Sequence, residues 1–561
     1  MIRLFETNRI RSVTELEGIW EFATIERGDR QVSSYPYLLP VPGCWENHPA
    51  LKTYRGVGVY RRTIEVCETA NLRFTFKGVS HTATVLLDGK PIASHYNAYT
   101  AFSSVVSDVN AGTHELVVIV DNSFHADSSL HQPNDYYSYG GITRPVVMER
   151  VPDTFLERLQ FTPRRANETW SANVSATVAN VGDKPRNVRV RCNLAGRKFD
   201  LEAGVVAPGA VVALSGSSEF TSPESWSPDS PKLYLLEAQL YTDEDESPCD
   251  DLIERVGFRI VTTEGGKIQL NGEDIVLKGF NRHEDHPHVG CAFPLALMSQ
   301  DLDLMEDMGA NTVRTSHYPN DERFLDLCDE RGFFVWEENH ARGFSIEQMR
   351  HPKFSEQCEA VNREMVEQHV NHPSIIIWGV LNECASDCEE GREHYVRQLN
   401  QIRAMDDSRP LTFASHHRDR EICFDLVDIV SFNLYPGWYG DEDPGELVDL
   451  ARGWAEAAGG AGKPIIMSEF GGDGYYGYRD SSRVRGTEER QADIIEANLA
   501  AYTARPYLSG MLIWQFCDCR VTEGTGWLLT RAGTQNSKGI VDRYRRPKLA
   551  YDVVKKYFRP N

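Results

Sequence analysis

The sequence predicts three domains in series, two β-sandwiches followed by a (β/α)8 barrel, and three observations carry that prediction. Short segments alternating apolar and polar residues fill roughly the first 260 positions, the period of half-buried strands. From about residue 263 the rhythm changes to short apolar runs separated by helical segments, the pattern of parallel strands joined by crossover helices. The length, 561 residues, exceeds what one hydrophobic core usually organises.

The first sandwich, placed at residues 1–152, is read from "LRFTFKGV", "TATVLL" and "HELVVIV". Asp88-Gly89, between "TATVLL" and "KPIASHY", predicts a two-residue hairpin turn. A second sandwich, at 153–262, follows from Val174, Ala176 and Val178 and then Val188, Val190 and Cys192, and ends near "VGFRIVTTEGG". In the third unit, 263–561, the strand candidates in order are "IVLKGFN", "NTVRTSH", "FFVWEE", "SIIIWGVLNE", "LTFASHH", "DIVSFNLY", "PIIMSEF" and "LSGMLIWQF". Between them, "SQDLDLMEDMG" predicts a helix stopping at Gly309, and Cys358, Val361 and Met365 share one face of another. Eight such units match a (β/α)8 barrel, whose active site lies at the C-terminal ends of its strands.

Hydrophobic residues at 41% and charged residues at 25% exclude disordered and fibrous classes. A formal charge of -23 repels nucleic acid and anionic membrane, so the expected partners are small or neutral molecules. "MIRLFETNRIRSV" lacks the apolar core of a signal peptide, and no run approaches the length of a spanning helix, so a cytoplasmic location is expected. The twelve cysteines are scattered, and "CASDC" and "CDC" lack the paired C-x-x-C spacing of a zinc site. They read as reduced thiols, with no metal expected.

Most of the barrel strands close on a polar or aromatic group: Asn281 with Arg282 and His283, Arg314 with His317, Glu338, Glu383, His416, Asn433 with Tyr435, Glu469, and Trp514. Closure would gather them around one mouth. Glu383 and Glu469 each follow a strongly apolar run. Glycosidic hydrolysis with retention needs two carboxyl groups about 5–5.5 Å apart, one a nucleophile and one a proton donor. Two strand ends of one barrel can supply such a pair, provided their protonation differs.

"GFNRHEDHP", "GANTVRTSHYPND", "VLNECAS", "SFNLYPGWY" and "SEFGG", in that order, resemble the signature series of glycoside hydrolase family 2, which includes β-galactosidases and β-glucuronidases. The resemblance covers nearly the whole chain. It implies a jelly-roll sandwich, an immunoglobulin-like sandwich and a catalytic barrel. It also implies Glu383 as general acid/base, Glu469 as nucleophile and Asn382 as the partner of the sugar 2-hydroxyl. Tyr435 would steady the nucleophile, and Asn433, Tyr439, His283 and Trp514 would surround the sugar. Asn536 and Lys538, in "TQNSKGI", form the Asn-x-Lys pair that binds the substrate carboxylate in the resembling β-glucuronidases. Asp135, in "NDYYSYGGITRP", matches an aspartate that binds hydroxyls at the far side of the sugar, and Arg531 an arginine near the carboxylate.

Arg342, in "WEENHARGF", departs from those glucuronidases, which carry a small apolar residue there. An Arg fork beside the sugar could donate to an axial hydroxyl at carbon 4, favouring galacturonide; a structurally paired or surface-directed Arg is the alternative. The segment 343–371 is short and leaves no room for a long active-site loop. The expected function is therefore a retaining exo-β-hexuronidase acting on β-D-glucuronides, with β-D-galacturonides as the alternative. β-Galactosidase comes next, because Glu338 and His340 faintly resemble a Glu-x-His metal pair, and a non-catalytic glycan-binding protein comes last. No organic cofactor is implied, the substrate is a small glycuronide or an oligosaccharide, and the family suggests a homo-oligomer.

Overall fold

The computed structural model describes residues 2–29, 32–167, 169–243, 245–524 and 526–559. The first domain is a two-sheet sandwich. Ser12–Glu15, Val146–Val151, Ala70–Phe76 and Phe102–Val109 form one sheet in that spatial order. Tyr37–Val41, Gly18–Ile25, Val57–Val66, Gly112–Asp121, Thr82–Leu87 and Lys90–Tyr96 form the other. Alternation in "TATVLL" becomes alternation in burial, and Val85 packs with Leu72, Phe74 and Val118 in the core between the sheets. At the expected hairpin Leu87 pairs with Lys90, and Asp88 and Gly89 both take positive φ, 49° and 75°, as a type I′ turn requires.

The second sandwich opposes a sheet of Thr154–Ala166, Thr169–Asn180 and Val211–Thr221 to one built on Arg186–Leu194, Tyr234–Thr242 and Asp250–Val256. Val174, Ala176 and Val178 from one sheet meet Val188, Val190 and Cys192 from the other, the residues whose alternation predicted them. Near the N-terminus the chain leaves the first sandwich: the Ile253 amide bonds the Thr7 carbonyl, and Arg3 holds Asp326 of the third domain at 2.9 Å.

Before the barrel begins, Val261–Glu264, Lys267–Leu270 and Glu273–Ile275 form a small antiparallel sheet. Its Ile268 and Leu270 pack with Trp336, Ile377, Ile466 and Leu512 of the barrel strands and with Trp226 of the second domain. The barrel strands are Leu277–Asn281, Thr312–Arg314, Phe334–Glu338, Ile375–Gly379, a fifth split into Leu411–Thr412 and Ala414–Ser415, Val430–Asn433, Ile465–Phe470 and Leu508–Ile513. All run parallel, and the eighth returns to the first through Leu277 opposite Gly510. The two halves of the fifth strand pair with the fourth and the sixth, which closes the ring. Burial on both faces explains why these strands read as unbroken apolar runs.

Helices cover the barrel outside. Leu295–Asp307 begins ahead of the predicted "SQDLDLMEDMG" and stops before Gly309, whose φ is +83°. Phe354–His369 turns Cys358, Val361 and Met365 inward. One strand differs from the reading of the sequence. The fourth ends at Gly379, so Asn382 and Glu383 lie beyond it rather than at its end. Leu381 and Glu383 sit at φ 49° and 52°, which no strand tolerates. Among the described residues no helix is long and apolar enough to cross a membrane.

Candidate active site

The C-terminal ends of the strands gather around one buried cation. Arg314, ending the second strand, donates to both oxygens of Glu338 at 3.0 and 2.9 Å. Its other N–H groups reach Asn281 at 3.0 Å, Glu469 at 3.0 Å and Asn382 at 2.7 Å, and the guanidinium lies 4.5 Å over the Trp336 ring. One rigid fork thus ties together groups from strands one, three and seven and the turn after strand four. Fully buried, it is compensated by two carboxylates rather than left as a lone charge.

Glu469 accepts from the Tyr435 hydroxyl at 2.6 Å as well as from Arg314. Asn433 donates to Glu383 at 2.9 Å and to Asn382 at 3.2 Å, and is itself oriented by Ser468 at 2.8 Å. Burial, with the nearby charge of Glu383 adding to it, pushes Glu469 up to about 7 against the pull of Arg314 and Tyr435. Burial also raises Glu383, but Arg342, His416 and the Asn433 amide outweigh it and leave its carboxyl below the ordinary glutamate value. The two carboxyls are thus pushed in opposite directions by their surroundings. The Asn382 side-chain N–H group is buried with no partner among the described residues.

The other side of the site joins two domains. Asp135, from the first domain, accepts from Arg531 at 2.8 Å and from Asn536 at 2.8 Å. The Lys538 ammonium bonds Asp473 at 3.1 Å and lies 5.0 and 5.3 Å from the rings of Trp438 and Tyr439. Trp514 stacks on His317 at 5.0 Å and meets His283 edge-on at 5.4 Å, while Tyr136 of the first domain stacks on His283 at 5.0 Å. Burial drives both histidines well below their usual range, so they stand neutral. Tyr439 is 64% exposed at the mouth, against the 3% of Trp514.

Arg342 does not point to the surface. Its guanidinium donates to Asn134 at 2.8 Å and stops 3.8 Å from Glu383, and its Nε is buried without a partner among the described residues. Backbone pairing with Asn382 fixes its place beside the two glutamates.

The third domain matches the TIM barrel domain of the glycosyl hydrolases family 2 over residues 261–560, more than half of the chain. The chain belongs to glycoside hydrolase family 2. The family's sugar binding domain matches 36–152 and a further family 2 domain matches 154–259. A solved structure of a family 2 β-galacturonidase from Eisenbergiella tayi bound to galacturonate superimposes on this glycoside hydrolase with a TM-score of 0.95 and 47% identity, over 100% of this chain and 99% of that one. A β-glucuronidase of Paenibacillus borealis is 26% identical over 97% of this chain and 96% of its own length. The chain spans 63% of the length of another relative, from Formosa agariphila, at 27% identity.

Within this family 2 glycoside hydrolase every residue expected at the site lies in the one cluster around the strand ends. Reading the sequence missed Asp473, the partner of Lys538, and Asn134, the partner of Arg342. Asp473 follows "SEFGG" directly, and Asn134 directly precedes Asp135 in "NDYYSYGGITRP", so both could have been suspected. Glu338 and His340 do not face a common point: Glu338 is held by Arg314 and His317, whereas His340 packs against His131 at 4.6 Å. Among the described residues Asp326, Asp329 and His372 have metal-like spacing, but Arg3 already occupies Asp326 through both oxygens.

Proposed function

We propose that the chain is a retaining exo-β-hexuronidase. The observation that carries this reading is a pair of buried glutamates, Glu469 held by Arg314 and Tyr435 and Glu383 by Asn433, set beside an Asn-x-Lys and Arg cluster of donors. Glu469 attacks the anomeric carbon while Glu383 protonates the leaving oxygen; Glu383 then removes a proton from the water that releases the sugar. Arg314 and Tyr435 favour the ionised nucleophile. A sugar hydroxyl that engages Arg342 weakens its hold on the Glu383 carboxylate, which favours the protonated acid. Asn382 meets the 2-hydroxyl. Asn536, Lys538 and Arg531 meet the uronate, for which an ammonium, an amide and a guanidinium supply charge-assisted hydrogen bonds. The first-domain segment around Asp135 closes the far side, which supports cleavage of terminal sugars only.

Placement of Arg342 inside the site, together with the 47% identity to a β-galacturonidase, favours galacturonide as the preferred epimer. The glucuronide reading rests on the nearly full-length likeness to a β-glucuronidase. Initial rates on p-nitrophenyl β-D-galacturonide, β-D-glucuronide and β-D-galactoside separate the readings. Dominant galactoside turnover would overturn the uronide reading. A mechanism-based glycosyl adduct should map to Glu469, and mapping to any other residue would overturn the assignment.

A further inference from the structure

We propose that Asn134, on a loop of the first domain, is a positioning residue that sets the carbon-4 selectivity of the site by holding one arm of the Arg342 fork. The proposal rests on the reading of Arg342 as the carbon-4 contact. The Asn134 side-chain oxygen accepts from Arg342 Nη1 at 2.8 Å and from the backbone N–H of Asp135 at 2.8 Å, so the same amide anchors both residues that flank the sugar. Asn134 is itself pinned to the barrel: its N–H donates to the Thr522 hydroxyl at 3.3 Å, and its carbonyl accepts from the Thr522 amide at 3.2 Å. Thr522 in turn donates to the Tyr136 carbonyl at 3.2 Å.

A guanidinium has five N–H donors in a fixed plane, so fixing one arm fixes the direction of the rest. Here one arm is bound to a neutral oxygen, and the second makes a long ion pair with Glu383 at 3.8 Å. Without Asn134 the nearest acceptor for the fork is the Glu383 carboxylate, and the edge presented to the sugar would turn away. Arg342 then tightens its ion pair with the acid instead of reading the sugar.

The test measures kcat/KM on p-nitrophenyl β-D-galacturonide and β-D-glucuronide for wild type, Asn134→Ala, Asn134→Asp and Arg342→Ala. Asn134→Ala should lower the galacturonide-to-glucuronide ratio by about tenfold, the worth of one charge-assisted hydrogen bond. Asn134→Asp, which keeps the acceptor oxygen, should restore the ratio. A ratio unchanged in Asn134→Ala but collapsed in Arg342→Ala would overturn the positioning role and leave the reading of Arg342 standing. A ratio unchanged in both would overturn that reading too.

Discussion

At the scale of single residues, Glu469 shows the cost of burying a carboxyl beside a second one. Glutamate ordinarily titrates near 4.5 and Glu469 near 7, so between those values the folded state holds a proton that the unfolded chain has released. Stability therefore falls as pH rises from the first value through the second. Glu469→Gln should stabilise the protein at about pH 8 by on the order of 1–3 kcal/mol and change it little at about pH 5. Urea unfolding at the two pH values checks this, and equal gains at both would refute it. Lys538→Ala should cut uronide turnover far more than any residual hexoside turnover, since its ammonium answers a charge that a hexose lacks. A uniform loss would mean that the Lys538–Asp473 pair only holds the loop.

Among the elements, the small sheet ahead of the barrel and the end of the fourth strand do different work. Ile268 fills the closed end of the barrel beside Ile377, Ile466 and Leu512, away from the strand ends that carry Glu383 and Glu469. Ile268→Ala should cost about 2–5 kcal/mol of stability. Because the cavity forms at the end opposite the chemistry, KM should stay at its wild-type value; a raised KM would show that the plug also sets the strand ends. Gly379 closes the fourth strand where a Cβ would come within 2.3 Å of the Trp336 indole nitrogen. That close approach lets the chain turn through Leu381 to present Asn382 and Glu383, a turn that the apolar run "SIIIWGV" did not announce.

For the whole molecule, the first domain is part of the site. Asp135 and Asn134 contact residues 396 and 208 positions away. Arg144 fastens the same domain to the barrel, bonding Glu284 at 3.0 Å and the Pro319 carbonyl at 2.8 Å, all of it buried. Arg144→Ala strands a buried carboxylate and should destabilise the protein by about 3–5 kcal/mol. Activity should then be lost at a lower denaturant concentration than barrel secondary structure; coincident loss would show that the domains still unfold as one.

Alternating and unbroken apolar runs determined the sandwiches and the barrel, because period and burial are local consequences of residue order. The same runs placed Glu383 and Glu469 near the mouth, since a carboxyl after a buried strand has few places to go. Only the tertiary structure decided which charge answers which: Arg314 joining Glu338 to Glu469, Asp135 taken up by Arg531 and Asn536, Lys538 by Asp473, and Arg342 by Asn134. Each of these pairings depends on distance through space between segments far apart in the chain, and side-chain electrostatics has no period along a sequence from which it could be read.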